Sequence, residues 1–222
     1  MQIRSFIIAY ALVLAILLFA DRRPGSTQQD RYSHVVDLTD GQNVTTSQTT
    51  TTPTATESRT HIIAPGALIP GTWAAGQIPP ERLIAPLVVI DLNATLEGNQ
   101  QISLDDIATW ESHYGMIPQG AVVAIRRVGA SDSLSTEWFP IARDAAEFLI
   151  DARYTIGFAV ETPVNFTSDR TLAQQLALHG SYVVEGAAHF TSLPATGSLV
   201  IVAPAKNKKS GEVPVRVLAM VR

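Results

Sequence analysis

Hydrophobic positions fall into two patterns that do not resemble each other. Near the start, Phe6 to Ala20 form an unbroken apolar run, preceded by Arg4 and followed by Asp21, Arg22 and Arg23. A basic start and a short apolar run match the core of an export signal. A full membrane span needs about 20 residues, so the run is short for one. Leu18 stands where a small residue is preferred before cleavage. Residues 1–23 are therefore expected to be a signal peptide or an uncleaved signal anchor, with the rest of the chain exported: periplasmic, extracellular, or anchored and facing outward.

From residue 86 onward the pattern turns regular. Leu87 to Asp91 is a β-branched run, as in a strand buried on both faces. Ser103 opens SLDDIATWESH, where Asp106 completes a capping box and Ile107, Trp110 and His113 or Tyr114 share one helical face. Ala121 to Val128 reads as a second strand. Ala145, Phe148, Leu149 and Ala152 recur at helical spacing within Asp144 to Tyr154. Ile156 to Thr162 predicts a strand, Leu172 to His179 a short helix, and Tyr182 to Glu185, Ser198 to Ala203 and Val213 to Val221 further strands. Alternating strands and helices predict an α/β domain.

Between these regions lies a spacer, residues 24–58, with one strand candidate, His34 to Thr39. Asn43 to Ser58, NVTTSQTTTTPTATES, is mostly Thr and Ser and has little apolar surface to bury. The folded domain is expected to cover residues 59–222, with strand 34–39 joining it. RTHIIAPGAL, Arg59 to Leu68, reads as a loop.

Composition narrows the chemistry. Among 222 residues, 46% are apolar and 16% charged, enough apolar material for a substantial core. The net charge of -4 comes without a basic block, which argues against a nucleic-acid partner. Cysteine is absent, which excludes disulfides and thiolate chemistry. The sequence contains no nucleophile elbow, P-loop or dinucleotide fingerprint. His61, His179, Glu185, His189 and a few further carboxylates are the remaining candidates. A carboxylate such as Glu185, at the end of an apolar strand, needs a metal or a cation such as Arg153 beside it.

Several segments together resemble the cyclase family of metal-dependent kynurenine formamidases and isatin hydrolases. They are HVVDLT at His34 to Thr39, the pair Thr60-His61, IPGTWAAGQIPPERLIAPLVVIDL at Ile69 to Leu92, YVVE at Tyr182 to Glu185, and SLPATGSLVIVAPAK at Ser192 to Lys206. The resemblance implies a swivelling β/β/α fold, a mixed sheet with flanking helices, and a homodimer or higher oligomer. It also implies hydrolysis of a C–N amide bond, as in an aryl formamide or a cyclic amide, assisted by zinc or manganese.

The family motif is H-x-G-T-H-x-D-x-P-x-H. Thr60, His61 and Pro65 match it, whereas Glu57 replaces the first histidine, Arg59 the glycine, Ile63 the aspartate and Ala67 the last histidine. Glu185 stands at the family glutamate, and Ala173 takes the histidine position before it. The resemblance implies His61 and Glu57 as metal ligands and Glu185 and His179 as proton-handling groups. Two readings follow: a hydrolase with a rewired metal site acting on a small amide, or an exported, catalytically inactive pseudoenzyme with a binding or structural role.

Overall fold

The computed structural model describes residues 32–40, 60–93, 101–129, 139–166, 169–207 and 209–222. The expected export signal, the Thr-rich stretch and Glu57 lie outside them. Among the described residues, no helix is long and apolar enough to cross a membrane.

Eight strands build the fold: β1 (His34–Asp37), β2 (His61–Ile63), β3 (Ile84–Asn93), β4 (Val122–Val128), β5 (Gly157–Val160), β6 (Tyr182–Glu185), β7 (Ser198–Pro204) and β8 (Glu212–Val221). Four described helices join them: α1 (Pro65–Leu68), α2 (Leu104–Tyr114), α3 (Arg143–Arg153) and α4 (Arg170–Leu178). β3, β4, β5 and β6 are parallel neighbours, with α2, α3 and α4 as their crossovers. β7 pairs antiparallel with both β3 and β8, and β2 joins β6 to β8. The sheet thus closes into a seven-stranded barrel, with β1 added along β8.

Closure explains the long apolar runs, because successive residues face two different cores. Leu87, Val89, Val122, Ala124 and Val184 fill the barrel interior together with β7 and β8. Val88, Ile90, Val123, Ile125 and Val183 point outward onto α2, α3 and α4. The interior is tight beside Gly157, where a Cβ would collide with the Tyr182 ring. The buried Tyr182 hydroxyl donates to the Arg82 carbonyl at 2.9 Å.

The helices begin where their sequence signals stand. Ser103 Oγ accepts the Asp106 amide at 3.2 Å, and Asp106 accepts the Ser103 amide at 2.8 Å, completing the box. Trp110 is buried and donates its indole N–H to the Val89 carbonyl, tying α2 to β3. Arg153 at the end of α3 grips Glu111 of α2 through two bonds of 2.7 and 2.8 Å.

One feature departs from the sequence reading. His61–Ile63 is a strand, not part of a loop, because β6 and β8 flank it and satisfy its backbone. β1 and β2 also lie end to end along the same edge of β8. Leu38 donates to Val217, and Val215 donates to Thr60. The Asp40 amide donates to Thr60 Oγ1 at 2.8 Å, so residues 41–59 leave and return at one point. Thr60 is fully buried there and donates its hydroxyl to the Gly186 carbonyl.

Candidate functional site

β2 sets the site. Ile62 points into the barrel, and Ile63 points outward beside Val183. His61 is two residues from Ile63 and shares its outward face, as successive strand side chains alternate. In register it stands opposite Glu185 on β6. Glu212 on β8 stands opposite Ile63. The three adjacent strands therefore present His61, Glu185 and Glu212 on one side.

Glu185 is the perturbed group. Burial raises its pKa above the ordinary carboxylate value, and the neighbouring Glu212 charge adds to this. The Val164 amide, which donates to Glu185 Oε2 at 3.1 Å, and His61 both act against the rise. The cation expected beside it is elsewhere. Arg153 is committed to Glu111, because α3 carries it to the opposite helix.

A cleft of about 580 Å³ opens between α1 and the first turns of α4. Ile63, Ala67 and Ala173 form part of its wall, with Phe166 and Val164 beside them and Arg170, Gln174 and Glu212 contributing polar groups. Gly211 fixes the α1 wall, since a Cβ there would strike the Ala67 backbone. Three of the positions that the sequence matches to metal-binding residues of the family thus come together in space, and these three carry hydrocarbon.

His179 is not brought to Glu185. It caps the C-terminal end of α4, which runs back toward the start of β6, whereas Glu185 ends that strand. Its ring lies 3.5 Å from Asp151, and its carbonyl accepts from Arg82. His189 adopts a left-handed conformation and bonds through Nδ1 to the Asp37 carbonyl. Glu57 lies outside the described residues.

Two carboxylates escaped the sequence reading. Glu212 reaches the site only through the non-local pairing of β8 with β2. Glu161 follows β5 and accepts the Arg127 amide at 3.1 Å, with burial raising its pKa. Its position at the end of an apolar run, like that of Glu185, was the available signal.

Imidazole and carboxylate suit zinc, which takes three or four such ligands. Among the described residues, no group of three or more His, Asp or Glu side chains could hold a metal ion. Glu185 Oε2 already accepts an amide, and Ile63, Ala67 and Ala173 supply no donor atoms. The described side chains do not fit the metal that the family resemblance implies.

A comparison with family models matches residues 19–165 to the Cyclase family, described as "Putative cyclase". The chain belongs to the cyclase family. Its fold is similar to that of isatin hydrolase A from Labrenzia aggregata bound to benzyl benzoate, with TM-score 0.70 and 24% identity over 96% of this chain and 99% of that one. Isatin hydrolase A from Ralstonia solanacearum gives TM-score 0.67 at 25% identity, covering 85% of this chain and 92% of that one. A structure described as a potential metal-dependent hydrolase with cyclase activity gives TM-score 0.63 and 26% identity, over 85% and 98% of the two chains. A search of curated proteins by sequence finds no match. Metal dependence is thus part of the description of one of these structures, while in this cyclase-family chain Ile63, Ala67 and Ala173 give the cleft a largely hydrocarbon wall.

Proposed function

We propose that this cyclase-family chain is a binding paralogue, one that keeps the hydrolase scaffold and its cleft but lacks metal-assisted hydrolysis. One observation carries the reading: Ile63, Ala67 and Ala173 stand together on the cleft wall at the positions matched to metal ligands. A divalent ion needs lone pairs within bonding reach, and these side chains have none. Residues 1–23 support export, with the N-terminal segment meeting the membrane, and homodimers or higher oligomers fit the family resemblance.

Elemental analysis of the purified chain, with melting curves in added zinc or manganese, tests this reading. The expected result is well under one metal per chain and no shift in melting. One zinc or manganese per chain, removed by chelator together with hydrolysis of an aryl formamide or isatin, would overturn it.

A second reading has its own support. Glu185 is half-buried, has a raised pKa and stands opposite His61, an arrangement that suits proton transfer to or from a small amide. Under this reading the chain is an amide hydrolase of the formamidase type, and Glu57, together with His61, belongs to the ligand set. Loss of formamide hydrolysis in Glu185→Gln, in a chain that melts normally, would favour it.

A further inference from the structure

We propose that the cleft between α1 and α4 binds a small apolar monocarboxylate without a metal, its hydrocarbon body against Ile63, Phe166 and Ala173 and its carboxylate on Arg170. This inference rests on the binding reading above and names its ligand class. The cleft has the size of small-molecule sites, and its wall is mainly hydrocarbon: Ile63, Leu68, Ile69, Val164, Phe166 and Ala173.

Arg170 is the cation of this wall, and among the described residues its guanidinium has no ion-pair or hydrogen-bond partner. The next cleft shows the contrast. It measures about 470 Å³ and shares Asn165 and Phe166 as a partition, but its Arg143 is bound to Asp169 at 2.9 Å. Asp169 thus neutralises Arg143, and Arg170, the next residue and the first of α4, lines the first cleft. A guanidinium beside apolar surface selects a carboxylate attached to an apolar body, since the planar fork matches the carboxylate oxygens.

Glu212 sets the upper limit on charge. It lines the same cleft and stands close enough to Glu185 for each to repel the other. A phosphate or dicarboxylate would bring a second negative charge against this wall. A monoanion keeps one charge at Arg170 and presents only hydrocarbon to the rest.

Calorimetric titration of the full chain with 4-phenylbutyrate in excess EDTA tests the assignment, with the neutral 4-phenylbutyramide as comparison. The expected result is saturable binding of the acid at one site per chain and binding of the amide weakened about tenfold or more. Arg170→Gln should weaken the acid to the level of the amide, while Arg143→Gln should leave it unchanged. Ala173→Leu, which fills the floor, should abolish binding; its melting curve would report whether the chain still folds. No binding of the acid at millimolar concentration, or equal binding by wild type and Arg170→Gln, would overturn the proposal. Acid binding that disappears in EDTA would overturn both this inference and the metal-free reading. A metal-free chain that ignores the acid would overturn this inference alone.

Discussion

Glu185 shows how a single side chain carries the history of the site. Its carboxylate sits half-buried beside a second carboxylate and is held by one amide and a neighbouring imidazole. Because its folded pKa is raised above the ordinary 4.5, its contribution to stability is complete below that value and is lost as pH rises through the folded pKa. Glu185→Gln keeps an oxygen for the Val164 amide and removes the charge. Its melting temperature should match wild type near about pH 4 and exceed it by a few degrees near about pH 8. Melting curves across that range check the sign. A variant less stable than wild type at high pH would mean that His61 or groups outside the described residues compensate the charge.

Secondary-structure elements were the most legible level. β6 runs from Tyr182 to Glu185 as the apolar pattern predicts, and α2 begins behind Ser103 as the capping box requires. Local signals are enough for both. β2 was missed because three residues after a polar stretch carry no periodicity; only β6 and β8, far along the chain, make them a strand. The site shares this property. His61 and Glu185 were legible as candidates, but their pairing, and the arrival of Glu212, depend on register between distant segments. Placing His179 beside Glu185 would have required knowing which way α4 runs against β6.

The join between α2 and α3 belongs to the same scale. Arg153 makes two bonds to Glu111, and Glu111 Oε1 also accepts the Ile117 amide. The Arg153 bond, followed by that amide, lowers the Glu111 pKa against the opposing effect of burial. A lowered carboxylate stabilises above its ordinary value and loses that contribution as pH falls through the folded pKa. Glu111→Gln should cost about 1–3 kcal/mol at neutral pH, and less in acid, as read by urea denaturation. An equal cost at both pH values would assign the loss to packing and not to charge.

At the scale of the molecule, closure is the governing fact. Seven strands form a ring, so β2 has to fit between β6 and β8 whatever precedes it. The 19 residues from 41 to 59 are thereby relieved of any role in aligning β1 with β2, since Asp40 and Thr60 already touch. Replacing them with about four turn residues should leave folding intact and stabilise the chain by about 1 kcal/mol through the shorter loop. Calorimetry of the shortened chain checks this. A lost or broadened transition would mean that residues 41–59 pack against the domain. The same variant lacks Glu57, so unchanged ligand binding would also remove that residue from the site.

The end-to-end placement of β1 and β2 has a topological consequence. β1 is held by its register from His34↔Val221 to Asp37↔Leu218, by Leu38 on Val217 and by Thr39 against Ala187. None of these contacts depends on the covalent path through residues 41–59. A nick in that path would turn the segment carrying β1 into a bound peptide, held along β8 by its backbone pairing, the buried Leu38 and the Arg216–Asp37 ion pair. The barrel would then accept its first strand from any chain that carries it, so two copies could exchange strands without altering a single backbone pairing.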